Sequence, residues 1–187
     1  MGSKFKAGCH KVMGDLGGAD AVDLHCGLDA LVARGIADPG RIGVTGVSYG
    51  GFMTARLITQ SARFAAAVAV SPHTNQVTAR PLSNIPQFMA RLLADEMNNP
   101  RGTYFERSPV LHVRKALAPT LNICGALDRC TPAEEAIQFH RALLDSGSHS
   151  VLVTYPHEGH GIRRLPAALD CAARVAAWFM EHMPARM

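Results

Sequence analysis

Short apolar runs alternate with amphipathic stretches along this chain. From Ala19, the residues Leu24, Leu28, Leu31 and Val32 recur at i, i+4, i+7 and i+8, the spacing of one helix face. Asp20 and Asp23 stand in the first turn, where the helix dipole favours acids, and Gly35 ends the pattern. Asp38-Pro39-Gly40 reads as a turn, and Arg41 to Thr45 as a first strand. A helix follows from Phe52 to Gln60. Ala65 to Val70 is then a short apolar run halted by Ser71-Pro72, which predicts a buried strand. Pro119 to Cys124 and Val151 to Tyr155 are the third and fourth strands. Between them Thr131 is placed to cap a helix, with Pro132 at its first position and Glu134 completing a capping box. Ile137, His140 and Leu144 give that helix a face, and Gly147 closes it. The last helix runs from about Pro166 to His182, with Leu169, Ala172, Ala176, Phe179 and Met183 along one stripe.

Two stretches lack a period. Lys4 to Gly18 reads as an irregular leader. His73 to Pro109 carries four prolines and one helix pattern, Ile85 to Met97, and reads as an insertion over one end of the sheet. The alternation of helices and strands predicts an α/β fold, with a mostly parallel sheet of about four strands flanked by helices. The strands are continuously apolar, as buried parallel strands are.

Composition narrows the picture. At 187 residues, 48% apolar and 18% charged, the chain fits one domain, residues 1–187, with a core of its own. No apolar run approaches the ~18 residues that span a bilayer, and the first residues have no signal-peptide core, so a cytoplasmic location is expected. The five cysteines form no C-x-x-C pair, which argues against a zinc or redox site. The net charge of +4 comes from scattered basic residues, not a stripe, which argues against nucleic acid as partner. No metal or organic cofactor is implied.

The chemistry centres on Gly46-Val47-Ser48-Tyr49-Gly50-Gly51, a G-x-S-x-G run between a strand and a helix. That is the setting of a nucleophile elbow, in which Gly46 and Gly50 keep a sharp turn free of Cβ clashes. In open α/β sheets functional residues gather at the carboxyl ends of the strands. Those ends carry Ser48, then Asp128, then His160 in the loop Glu158-Gly159-His160-Gly161. A serine hydroxyl needs an imidazole to take its proton, and a buried carboxylate fixes the tautomer of that imidazole. Each position has a plainer alternative: a turn serine for Ser48, a turn-capping role for Asp128, His157 in place of His160. Glu134 and Glu135 are rival acids, but both fall inside a helix. His73, also past a strand end, either lines the pocket or faces water.

From about Asp15 onward the chain resembles the C-terminal part of the catalytic domain of the prolyl oligopeptidase family. Its acylaminoacyl-peptidase and dipeptidyl-peptidase-like branches are the nearest in kind. The resemblance is carried by Asp38-Pro39-Gly40-Arg41-Ile42, the elbow, Ser108-Pro109, Pro119-Thr120-Leu121, Gly125-Ala126-Leu127-Asp128 and the run Tyr155 to Gly161. It implies a reduced α/β-hydrolase fold with Ser48 as nucleophile, Asp128 as acid, His160 as base, and the Tyr49 backbone N–H as one oxyanion donor. Family members carry a propeller domain and about half of the hydrolase sheet outside the matching segment, and that half supplies the second oxyanion donor. Losing one such donor costs about 10²–10³ in rate. The expected activity is therefore on short-chain esters, ahead of small peptides or acyl-amino acids. The alternative is a non-catalytic interaction or structural remnant. The strand Arg41 to Thr45 would be an exposed apolar edge, and a homodimer is expected to cover it.

Overall fold

The computed structural model describes residues 12–183, so residues 4–11 of the expected leader lie outside the described residues. Helix α1 spans Ala19–Ala33, β1 Gly43–Val47, α2 Tyr49–Gln60 and β2 Ala66–Val70. Three short helices follow, α3 Gln76–Leu82, α4 Pro86–Leu93 and α5 Thr103–Glu106, and then a 3₁₀ segment, Pro109–Lys115. Strand β3 Thr120–Gly125, α6 Ala133–Asp145, β4 Ser150–Tyr155 and α7 Ala167–His182 complete the order. The four strands form one sheet in the order β1-β2-β3-β4, every pair parallel. All four carboxyl ends therefore point the same way, and the loops that leave them share one rim.

Burial follows position in the sheet. β2 and β3 are buried along their whole length, because each has neighbours on both sides and helices on both faces. On one face Ala67 joins Met53, Leu57, Ile58, Phe139 and Leu143, so α1, α2 and α6 cover that side. On the other, Ala66, Val68, Val70, Leu121 and Ile123 pack against Trp178 of α7. Residues 66–70 thus alternate between two cores with the period of two that a strand imposes. β1 is an edge, and its residues alternate between exposed and half-buried. Apolar grooves open on both sides of it. One of about 580 Å³ runs between Val47, Val70, Cys171 and Val175; one of about 250 Å³ lies between Leu24, Leu28, Val44 and Met53. Among the described residues no helix is long and apolar enough to cross a membrane.

Several local expectations shift. On α1 the buried contact is Ala21, with Leu28 and Val32 half-buried, while Leu24 and Leu31 are exposed, Leu24 at the groove beside β1. On α6 the buried face is Ala136, Phe139 and Leu143; Ile137 and His140 are half-buried and Leu144 is exposed. Phe139 decides that rotation, since one large ring outweighs the smaller side chains in apolar area. On α7 the stripe turns to Cys171, Val175, Trp178 and Phe179, with Leu169, Ala172 and Ala176 outside. Trp178 sets it. The Ile85 to Met97 pattern ends early, at Leu93, because Ala94 takes a left-handed conformation. The capping box does not form: α6 begins at Ala133, and the Thr131 hydroxyl is engaged elsewhere.

The elbow also differs in detail. A Cβ on Gly46 would lie 2.5 Å from the Gly50 backbone, so that glycine is needed. A Cβ on Gly50 would meet nothing within 4 Å, whereas one on Gly51 would sit 2.5 Å from the Val70 carbonyl oxygen. That carbonyl accepts the Ser48 N–H at 2.9 Å and ties the elbow to β2. Gly51→Ala is therefore expected to lose about 1–3 kcal/mol of stability through overpacking, and Gly50→Ala to lose nothing, both read by urea unfolding. Equal stability of the two variants would contradict this account of the turn.

Candidate active site

Ser48 sits between β1 and α2 at φ 60°, in the left-handed region that residues with a Cβ seldom adopt. Two backbone bonds hold it there: its N–H donates to Val70, and its carbonyl accepts from Phe52 at 3.0 Å. The turn pushes its hydroxyl out over the rim. His160 meets it, with Nε2 2.9 Å from Ser48 Oγ. The other ring nitrogen, Nδ1, lies 2.9 Å from Asp128 Oδ2. An ionised carboxylate only accepts, so Nδ1 carries the proton and Nε2 offers a lone pair to the serine hydroxyl. The rival His157 is exposed.

The Asp128 side chain is fully buried, a costly place for a carboxylate without donors. It has them. Oδ1 accepts the backbone N–H groups of Cys130 and Thr131 at 2.8 and 2.9 Å, and Oδ2 faces both His160 and the Thr131 hydroxyl. Capping its own turn and orienting the imidazole are thus two jobs of one group. The Thr131 hydroxyl also lies 2.8 Å from the Ser71 carbonyl oxygen and 3.3 Å from His160 Nδ1, which locks the ends of β2 and β3 to the histidine loop.

Two more buried carboxylates shape the rim; the sequence offered Glu135 only as a rival acid and gave Glu158 no role of its own. Glu158 accepts the N–H groups of Arg163 and Arg164, and its carbonyl accepts from Leu127, so the loop carrying His160 is fastened to the loop carrying Asp128. Glu135 accepts from the N–H groups of Thr74 and Asn75, the Thr78 hydroxyl and the Gln138 amide. It anchors the start of the 73–109 segment to α6, and burial pushes its carboxyl up against the opposing effect of those donors. A carboxylate in the first turn of a helix reads from sequence as a dipole partner; nothing local announces that it faces inward. Glu134, its neighbour, is exposed.

Tyr49 and His73 stand close by. The Tyr49 backbone N–H is the first of α2 and has no acceptor within the helix. Its phenol donates to Asp20 on α1, and burial together with that bond raises its pKa. His73 is 4% exposed, its ring stacked on Phe52 with centroids 4.6 Å apart and planes 6° from parallel. It does not face water. Among the described residues no cluster of three or more histidine, cysteine or acidic side chains is arranged to hold a metal ion.

Known proteins resemble this chain along most of its length. The profile of the prolyl oligopeptidase family matches residues 1–186. Acylamino-acid-releasing enzyme 1 of Oryza sativa is 28% identical over 181 residues, and an uncharacterized peptidase of Bacillus subtilis, YuxL, is 33% identical over 177. These alignments cover 91% and 92% of this chain but 23% and 27% of those proteins. Among solved structures, an acylaminoacyl peptidase of Pyrococcus horikoshii superposes with a TM-score of 0.87 at 25% identity, covering 95% of this chain and 30% of that one. A puromycin-hydrolyzing peptidase of Mycobacterium tuberculosis gives 0.89 at 26% identity, covering 94% and 27%. The chain thus spans less than a third of each of these relatives.

The state of His73 can be tested through stability. Burial lowers its pKa to about 4 from the ordinary 6.5; the nearby His160 adds to this and the hydrogen bond to Gln76 opposes it. With the folded pKa depressed, the stabilising contribution is fully present above pH 6.5 and is lost as the pH falls through 4. A gap of that size corresponds to about 3 kcal/mol. Urea unfolding at pH 7 and pH 4 should show the wild type losing about 3 kcal/mol more than His73→Phe. Equal losses would mean that the ring titrates as an exposed histidine does.

Proposed function

The chain belongs to the prolyl oligopeptidase family, and on that footing we propose that it is a serine hydrolase acting on short-chain carboxylic esters through an acyl-enzyme on Ser48. One observation carries the reading: the unbroken relay from Ser48 Oγ to His160 and from His160 to Asp128, each step 2.9 Å, on a serine held at φ 60°. In this mechanism His160 Nε2 takes the hydroxyl proton as Ser48 Oγ attacks the carbonyl carbon. The imidazolium, stabilised by Asp128, returns that proton to the leaving alkoxide as the C–O bond breaks. Water then attacks the acyl-enzyme by the same route and releases the acid.

The Tyr49 N–H, at the positive end of α2, is the oxyanion donor in this scheme. A second donor is not identified among the described residues. A hole with one donor forfeits about 10²–10³ in rate, which favours activated esters over amides, whose leaving groups are poor. Small peptides and acyl-amino acids are slower substrates on this reading. The open β1 edge, with apolar grooves on both sides, favours a second reading: an interaction module that keeps the relay without turning over.

A fluorophosphonate probe and p-nitrophenyl acetate separate the two. The wild type should be labelled and should hydrolyse the ester; Ser48→Ala should lose labelling and at least about a thousandfold of the rate. Residual hydrolysis equal to wild type would refute the assigned nucleophile. We also propose that a second copy of the chain covers the β1 edge. Light scattering should then give the mass of a dimer, and a cooperatively folding monomer would sink the idea.

A further inference from the structure

His73 holds a polar atom that the relay does not use. The ring follows the end of β2, where Val70 is the register partner of Val47, the residue before Ser48. Phe52 stacks on the ring, and Tyr49, the residue after Ser48, leans in at 6.3 Å and 55°. The Gln76 side chain fixes the tautomer. Its Nε2 donates to the Arg107 carbonyl at 3.2 Å, so its Oε1 is the atom 3.1 Å from His73 Nδ1. An amide oxygen only accepts, so Nδ1 carries the proton. Gln76 is itself held by its N–H to Ser108 Oγ, at 2.8 Å.

Nε2 of the neutral ring is therefore an acceptor, and it makes no hydrogen bond to any described residue. The side chain is buried, yet Nε2 is not sealed off from outside, so a bound molecule can answer it. The ring contact with Tyr49, which directly follows Ser48, places His73 beside the relay. Because its pKa is about 4, the ring remains an acceptor at neutral pH.

We propose that His73 Nε2 is a specificity-determining acceptor, which takes a hydrogen bond from an N–H or O–H donor near the scissile carbonyl of the substrate. The inference rests on the hydrolase reading of the site and narrows it. Acyl groups carrying an α-amido, α-amino or α-hydroxyl donor are preferred over plain alkanoyl groups. An acyl group without a donor leaves the lone pair unanswered on binding, which lowers its rate relative to a matched group that has one.

The test uses two p-nitrophenyl esters that differ in one atom: N-acetylalanine, and the analogue in which oxygen replaces the amide N–H. The wild type should favour the N–H ester in kcat/KM by about three- to tenfold, the worth of one hydrogen bond. His73→Phe keeps an aromatic ring against Phe52 and removes the acceptor, and it should bring the ratio to about one. The ratio is unmoved by a general loss of activity. A wild-type ratio of one, or an unchanged ratio in the variant, overturns the proposal. A second arm needs no turnover: Ser48→Ala protein with ¹⁵N-labelled histidine is titrated with the methyl esters of the same pair. The His73 Nε2 resonance should move with the N–H ligand and not with its oxygen analogue; equal movement overturns the proposal. Should the wild type neither hydrolyse the esters nor be labelled at Ser48, the hydrolase reading fails, and this titration alone decides the role of His73.

Discussion

A carboxylate taken out of water must collect donors, and the rim of this sheet is built around three that do. Asp128, Glu135 and Glu158 are all buried, and each is surrounded by N–H or O–H groups from a segment other than its own or from its own tight turn. The cost of burying a charge is large enough that each cluster forms as a whole or not at all. Asp128 shapes the turn after β3 and reaches the histidine. Glu158 folds the histidine loop back on itself. Glu135 fastens the first turn of the 73–109 segment. Remove these and the loops lose the reason to meet.

The relay inherits its precision from that scaffolding. Parallel register brings Ser48, His73, Asp128 and His160 to the same rim, but register alone leaves loop conformation open. The serine is held by an elbow that stores backbone strain, and the strain persists because the Val70 carbonyl and the first turn of α2 over-determine the turn. Tyr49 then does something the motif does not advertise. Its phenol ties the elbow helix to Asp20 on α1, while Arg56 and Arg107 both donate to the Gly17 carbonyl, so the segment before α1 is bound to the same body.

The sheet has two unlike borders. β4 is packed on one face by α6, and Val153 joins the core of the other face. β1 carries glycine at two of its five positions and leaves grooves on both faces. The elbow thus stands at the more open side of the fold, and whatever lies over β1 will also lie beside Ser48. The Ser48 relay and the most open strand edge therefore share one side of the sheet.

How much of this was legible from the residues depends on the range of the interaction. The strand and helix order, the elbow and the positions of Asp128 and His160 follow from local spacing, because a strand end and a turn are set by neighbours in sequence. The faces of α1, α6 and α7 were not, since equally apolar stripes compete on each helix, and Phe139 and Trp178 win only once the sheet is present to receive them. Thr131 looked like a cap and is instead a tie to Ser71, and Glu135 looked like a rival acid set aside inside a helix and is instead an anchor. The chain by itself determined which chemical groups stand at the strand ends. Only the tertiary structure decided which of them are buried, and burial obliges a carboxylate or an imidazole to find its partner.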